Sequence, residues 1–160
     1  MESRWKMQVQ NAQEALYIAC EMEKGAIQLY QRALSVMEQQ GRREDPLYGY
    51  VDYMLKDEQQ HLQQFSSLFE GLDEETERLL TLSAVSAEVL FKGGLMAAVR
   101  EGALKDLSGM LRYAMIAEEK AAATYRTFAN RSEDPQAREM LLGIAGEEDK
   151  HLQTLKTMAQ

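Results

Sequence analysis

The sequence predicts an all-α protein: a four-helix bundle with a long, partly helical crossover between its second and third helices. Three observations carry that expectation. Apolar residues recur at spacings of three and four along four long stretches, the pattern of helices with one buried face. The only two prolines in 160 residues each follow an aspartate at the head of such a stretch. The arrangement of the first half is repeated in the second, so the chain reads as two copies of a helical hairpin. The length suits one domain, residues 1–160, with a sizeable core and no room for a second ordinary one.

The first helix is expected from about Val9 to Gln39, with Ala12, Leu16, Ala19, Ala26, Tyr30, Ala33 and Met37 on its apolar stripe. Glu23 falls on that stripe, whereas Glu21 and Lys24 fall off it and read as solvated charge. Gly41 ends the helix, as glycine past a C-terminus does. Asp45 as N-cap and Pro46 at the first helical position open the second helix, which runs to about Glu70. Its stripe is Leu47, Val51, Met54, Glu58, His61 or Leu62, Phe65 and Phe69, and Gly71 closes it.

Residues 72 to about 103 form the crossover. DEETERLLTL reads as a short helix or turn. The apolar segment 83–99, interrupted by Gly93 and Gly94, is expected to cross the end or flank of the bundle, so that the next helix runs parallel to the preceding one. A membrane-surface or partner-binding helix is the rival use, weakened by Lys92 and the glycine pair. The third long helix starts near Asp106 or Ser108 and runs to about Asn130, with Leu107, Leu111, Ala114, Glu118, Ala121 or Ala122, Tyr125 and Phe128 inward. Asp134 and Pro135 open the fourth, whose stripe is Leu141, Ile144, Glu148, His151, Leu155 and Met158.

Setting Glu23 on Glu118 brings Ala26 onto Ala121 and Tyr30 onto Tyr125. Both halves continue with Glu-Asp-Pro and then Glu-x-x-His, at Glu58 and His61 and at Glu148 and His151. These are the only two histidines in the chain. Residues i and i+3 share a helix face, so each motif offers a carboxylate and an imidazole to one point.

Glutamates on four core stripes need explaining, because an ionised carboxylate in an apolar interior costs several kcal/mol unless it is paired. No lysine or arginine lies on these stripes in mid-bundle, so metal is the economical partner. Two divalent cations would offset four carboxylates. One Glu from each of two helices plus Glu-x-x-His from each of the other two is a ligand set of dimetal sites in helical bundles. The expected ligands are Glu23, Glu58, His61, Glu118, Glu148 and His151. Glu23 and His61 serve one metal with Glu58 bridging, and Glu118 and His151 the other with Glu148 bridging; which copy serves which metal is open. Oxygen and imidazole ligation suits two iron ions, with manganese or zinc as other candidates, and ferrous iron there can reduce dioxygen or peroxide. Tyr30 and Tyr125 are placed to hydrogen-bond ligand carboxylates from outside, or to serve as core aromatics.

A net charge of −8 argues against non-specific nucleic-acid binding. Cys20 is the only cysteine, which leaves no intrachain disulfide and no Cys-x-x-Cys metal knuckle. The ten methionines read as core filling. No secretory signal pattern and no bilayer-length apolar run is visible, so the cytoplasm and no membrane association are expected by default.

With its repeated Glu-x-x-Ala-x-x-x-Tyr and Glu-x-x-His motifs, the chain resembles the ferritin-like superfamily, and within it the rubrerythrin-like group. That resemblance implies a non-haem diiron four-helix bundle that reacts with peroxide or dioxygen, usually as a homodimer or larger homo-oligomer. Rubrerythrins proper also carry a rubredoxin-like domain with paired Cys-x-x-Cys motifs, which this chain lacks. They place an extra glutamate one turn after the third-helix ligand, where Ala121 stands here, and the more symmetric set that remains looks closer to ferroxidase centres. The expected function is a diiron oxidoreductase that oxidises ferrous iron or reduces hydrogen peroxide or dioxygen, with electrons from a separate donor protein. The alternatives are a non-catalytic metal binder for storage, sensing or delivery, and a helical interaction module held together by its metal.

Overall fold

The computed structural model describes residues 9–86 and 106–158, and among these all regular structure is helical. Helix α1 spans Ala12–Gln39, α2 Pro46–Leu68, α3 Glu74–Ser86, α4 Leu107–Arg131 and α5 Pro135–Met158. The start of α1 falls a turn after Val9, because Asn11 stays extended and its side chain accepts the Glu14 N–H at 3.0 Å. At the other end Gly41 has φ 70°, and the Arg42 N–H returns to the Met37 carbonyl at 2.8 Å. The aspartates before α2, α4 and α5 act as caps: Asp45 accepts from Leu47 N–H at 2.9 Å, Asp106 from Gly109 N–H at 2.8 Å and Asp134 from Gln136 N–H at 3.1 Å. Helix α2 ends at Leu68, slightly before Glu70.

The DEETERLLTL stretch is helical and continues through Ser86 as α3, whose N-terminal N–H at Thr76 is held by Asp73 at 2.8 Å. Leu80 and Ala84 are buried, and Tyr17 on α1 meets Thr81 at 2.8 Å. The rest of the apolar crossover, from 87 to 105, and the crossing helix expected within it lie outside the described residues.

Helices α1 and α2 form one hairpin and α4 and α5 the other; across the hairpins α1 packs on α4 and α2 on α5. Tyr30 meets Glu118 while Tyr125 meets Glu23, so α1 and α4 are antiparallel. His61 meets Glu147 while His151 meets Asp57, so α2 and α5 are antiparallel too. It follows that α2 and α4 run parallel, which is what the long crossover permits.

Two apolar clusters fill the interior. One gathers Leu29, Met37, Val51, Met54, Met110 and Leu155; the other gathers Leu16, Ile18, Phe65, Tyr125, Leu141 and Ile144. Between them, at mid-length on all four long helices, lies a polar layer. Ala12, Ala26, Leu62, Phe69 and Met158 are only half-buried, at the margins of the expected stripes. Among the described residues no helix is long and apolar enough to cross a membrane.

Candidate metal centre

The polar layer is made of the six side chains singled out by spacing. Glu23, Glu58, His61, Glu118, Glu148 and His151 are each at most 3% exposed. Helical periodicity puts them there, since each occupies the inward position of a stripe that is apolar on either side. Between His61 and Leu62, it is His61 that points inward. Among the described residues no lysine or arginine is buried with them.

Their donor atoms fall into two overlapping groups, Glu23, Glu58, His61 and Glu148 in one and Glu58, Glu118, Glu148 and His151 in the other, with the atoms of each within 4.8 Å of one another. Both motif glutamates belong to both groups. Glu58 reaches His61 Nδ1 at 2.9 Å with one oxygen and His151 Nδ1 at 3.5 Å with the other. Glu148 Oε1 stands 3.5 Å from His61 Nδ1 and 3.3 Å from His151 Nδ1. The two imidazole rings face each other with centroids 6.0 Å apart.

Both tyrosines reach the glutamate of the opposite hairpin. Tyr30 donates to Glu118 at 2.5 Å, and Tyr125 donates to Glu23 at 2.9 Å. Outside the six, Glu147 accepts or shares a proton with His61 Nε2 at 3.0 Å, and Asp57 does the same for His151 Nε2 at 2.9 Å. These contacts also cross between hairpins. They turn each Nδ1 toward the cluster and leave Nε2 facing a carboxylate, the arrangement that orients a metal-binding imidazole.

Burial and mutual repulsion favour bound protons on this cluster. Burial pushes the carboxyls of Glu58 and Glu148 well above their ordinary range, and neighbouring carboxylates, Glu118 first, add to the rise. Burial works against the His61 cation, yet the surrounding carboxylates of Glu23, Glu148 and Glu147 outweigh it and push the ring up to about 9. His151 is raised in the same way by Glu118, Glu148 and Glu58. Burial and the nearby carboxylates raise the Tyr30 and Tyr125 hydroxyls far enough that both remain donors. Cys20 is a buried thiol, raised by its burial, and fits the small core residue expected of it.

Three buried carboxylate oxygens have no hydrogen-bond partner: Glu23 Oε2, Glu58 Oε2 and Glu148 Oε1. Each such atom is costly to bury, and the three residues that carry them all belong to the group that contains His61. Unpartnered acceptors beside inward-facing imidazole Nδ1 atoms are the chemistry of a site for divalent cations, and the donor set fits that use.

Asp57 and Glu147 are the residues that spacing did not single out. The signal is present, since an acidic residue directly precedes the motif glutamate in both copies, as Asp57-Glu58 and Glu147-Glu148. Both lie off the apolar stripe, where an acidic residue on one helix reads as surface charge. Only the register of α2 against α5 reveals their contacts.

A family model described as a ferritin-like domain matches residues 11–160. Neither the curated proteins nor the solved structures yield a match to the chain.

Proposed function

From the premise that this chain belongs to the ferritin-like domain family, we propose that it is a rubrerythrin-like diiron protein. In this reading the centre oxidises ferrous iron or reduces hydrogen peroxide or dioxygen, drawing electrons from a separate donor protein. The observation that carries the reading is the shared position of Glu58 and Glu148 in two overlapping donor groups with no buried lysine or arginine among the described residues to offset them.

Two iron ions would be held by Glu23, His61, Glu118 and His151 with Glu58 and Glu148 between them, and when bound they supply the electrons for reducing an oxygen species. The chain's own residues set the conditions. Glu147 and Asp57 fix the His61 and His151 rings with Nδ1 inward. Tyr125 and Tyr30 hold Glu23 and Glu118 from the opposite hairpin. The apolar clusters on either side of the layer exclude bulk water and so strengthen every charge interaction within it. Ala121 leaves the position one turn after Glu118 without a carboxylate, which favours a fixed ligand set over one that exchanges during turnover. That observation also supports the second reading, a non-catalytic iron or metal binder. The protein is read as cytoplasmic and as a homodimer or larger homo-oligomer.

Elemental analysis after anaerobic ferrous loading, followed by spectra on adding peroxide or dioxygen, tests the proposal. The expectation is about two irons per chain, rapid ferric absorption, and repeated turnover when a reductant is supplied. Stoichiometric iron without turnover supports the binder instead. Glu58→Ala and Glu148→Ala should each abolish dimetal loading; unchanged metal content in both variants rejects a dimetal centre.

A further inference from the structure

The two donor groups resemble each other in composition and differ in their access to solvent. Glu147, against His61, is 45% exposed at its side chain, while Asp57, against His151, is 20% exposed. One carboxylate therefore spans from solvent to the His61 ring, and the corresponding contact on His151 is largely covered. On the opposite side of the layer Tyr30 and Tyr125 are buried against Glu118 and Glu23. Along the bundle axis the apolar clusters close both ends.

Among the described residues nothing covers the helix surface beside Glu147. Gly143 lies one turn before Glu147 on α5 and Gly146 directly precedes it, and a Cβ at either would meet none of the described residues within 4 Å. Glycine inside a helix costs about 1 kcal/mol relative to alanine, and no close approach by a described residue requires it at these positions. Glu23, Glu58 and Glu148, the three residues with an unpartnered buried oxygen, all belong to the His61 group, although Glu58 Oε2 and Glu148 Oε1 also lie 3.5 and 3.3 Å from His151 Nδ1. The His151 group shares two of them, but Glu118, its own carboxylate, already accepts from Tyr30 and contacts His151 Nδ1.

Resting on the dimetal reading, we propose that divalent cations enter and leave through the seam between α2 and α5 at Glu147, so that the His61 position exchanges before the His151 position. A cation arriving on Glu147 competes for the carboxylate that holds His61 Nε2, and thereby frees the ring whose Nδ1 lies 3.5 Å from the unpartnered Glu148 Oε1. The His151 position fills from within, across Glu58 and Glu148.

Cobalt(II) is the probe, followed by its visible absorption in stopped flow during uptake and during release to excess EDTA. The wild-type protein should bind about two equivalents and release them in two phases of equal amplitude. Glu147→Gln should slow uptake of the first equivalent by about tenfold, the scale on which a local charge alters the encounter of an ion. Gly143→Lys, which places a cation one turn from Glu147 and touches no donor atom, should slow it as well. Glu139→Gln, an exposed change of equal charge two turns before Glu147 on α5, should leave the rate unchanged. His61→Gln should remove the fast phase and keep the slow one. Release in a single phase, normal uptake in Glu147→Gln, or equal slowing in Glu139→Gln overturns the route while leaving the dimetal centre intact. Failure of the wild-type protein to bind two cobalt ions overturns the dimetal reading itself.

Discussion

Replacing each buried tyrosine by phenylalanine separates two contacts that bond length alone would rank the other way. Tyr30 makes the shorter hydrogen bond, 2.5 Å to Glu118 against 2.9 Å from Tyr125 to Glu23. Glu118, however, retains His151 Nδ1 at 3.1 Å after Tyr30→Phe. Glu23 has no second hydrogen bond to retain: its other oxygen is without a partner, and His61 Nδ1 lies 3.7 Å away. Both substitutions keep the aromatic ring and its packing, so the difference reports on the carboxylate left behind. Stranding a buried polar group costs about 1–3 kcal/mol, more when it is charged. Tyr125→Phe should therefore cost about 2 kcal/mol and Tyr30→Phe about 1 kcal/mol, measured by urea denaturation of EDTA-treated protein. Affinity for a divalent cation should fall by about tenfold or more in Tyr125→Phe, because an outer hydrogen bond orients the ligand carboxylate. Equal losses in the two variants, or a larger one in Tyr30→Phe, would refute the reasoning that the second partner decides the cost.

Stability of EDTA-treated protein should fall as pH rises from 6.5 to 9. The His61 ring has a folded value of about 9 against an ordinary 6.5, so its stabilisation is complete below 6.5 and is lost as pH passes 9. That difference corresponds to about 3 kcal/mol. Glu58 and Glu148, raised by burial, act in the same direction because they too must lose protons in the folded state. Thermal melts at both pH values check this, and equal stability at the two would contradict it. Metal-loaded protein should show the opposite trend in metal affinity, since protons and cations compete for the same atoms. Asp106→Ala removes the cap on Gly109 N–H and should cost about 1 kcal/mol without changing metal stoichiometry, readable from paired melts and elemental analysis.

The identity of the six central residues was legible because each breaks a stripe of apolar residues on its own helix, and a single helix's periodicity is a property of sequence. The caps at Asp45, Asp106 and Asp134 were legible for a similarly local reason. Pairing between helices was not. Nothing in the heptad from Glu23 to Tyr30 says that Tyr30 serves Glu118, and nothing in Asp57 distinguishes it from any solvated aspartate, because register between distant helices depends on packing of the whole core. The start of α1 was misplaced by a turn for a small reason: Val9 continues the apolar spacing, but Asn11 binds the Glu14 N–H more readily than it joins a helix.

The crossed contacts make the two hairpins depend on each other. Tyr30 with Glu118, Tyr125 with Glu23, Asp57 with His151 and Glu147 with His61 all run from one hairpin to the other. Within one hairpin each imidazole meets a carboxylate only at Nδ1, as Glu58 does for His61 and Glu118 for His151. The carboxylate at each Nε2 comes from the other hairpin, aspartate for one ring and glutamate for the other, so neither hairpin alone fixes both nitrogens of its histidine.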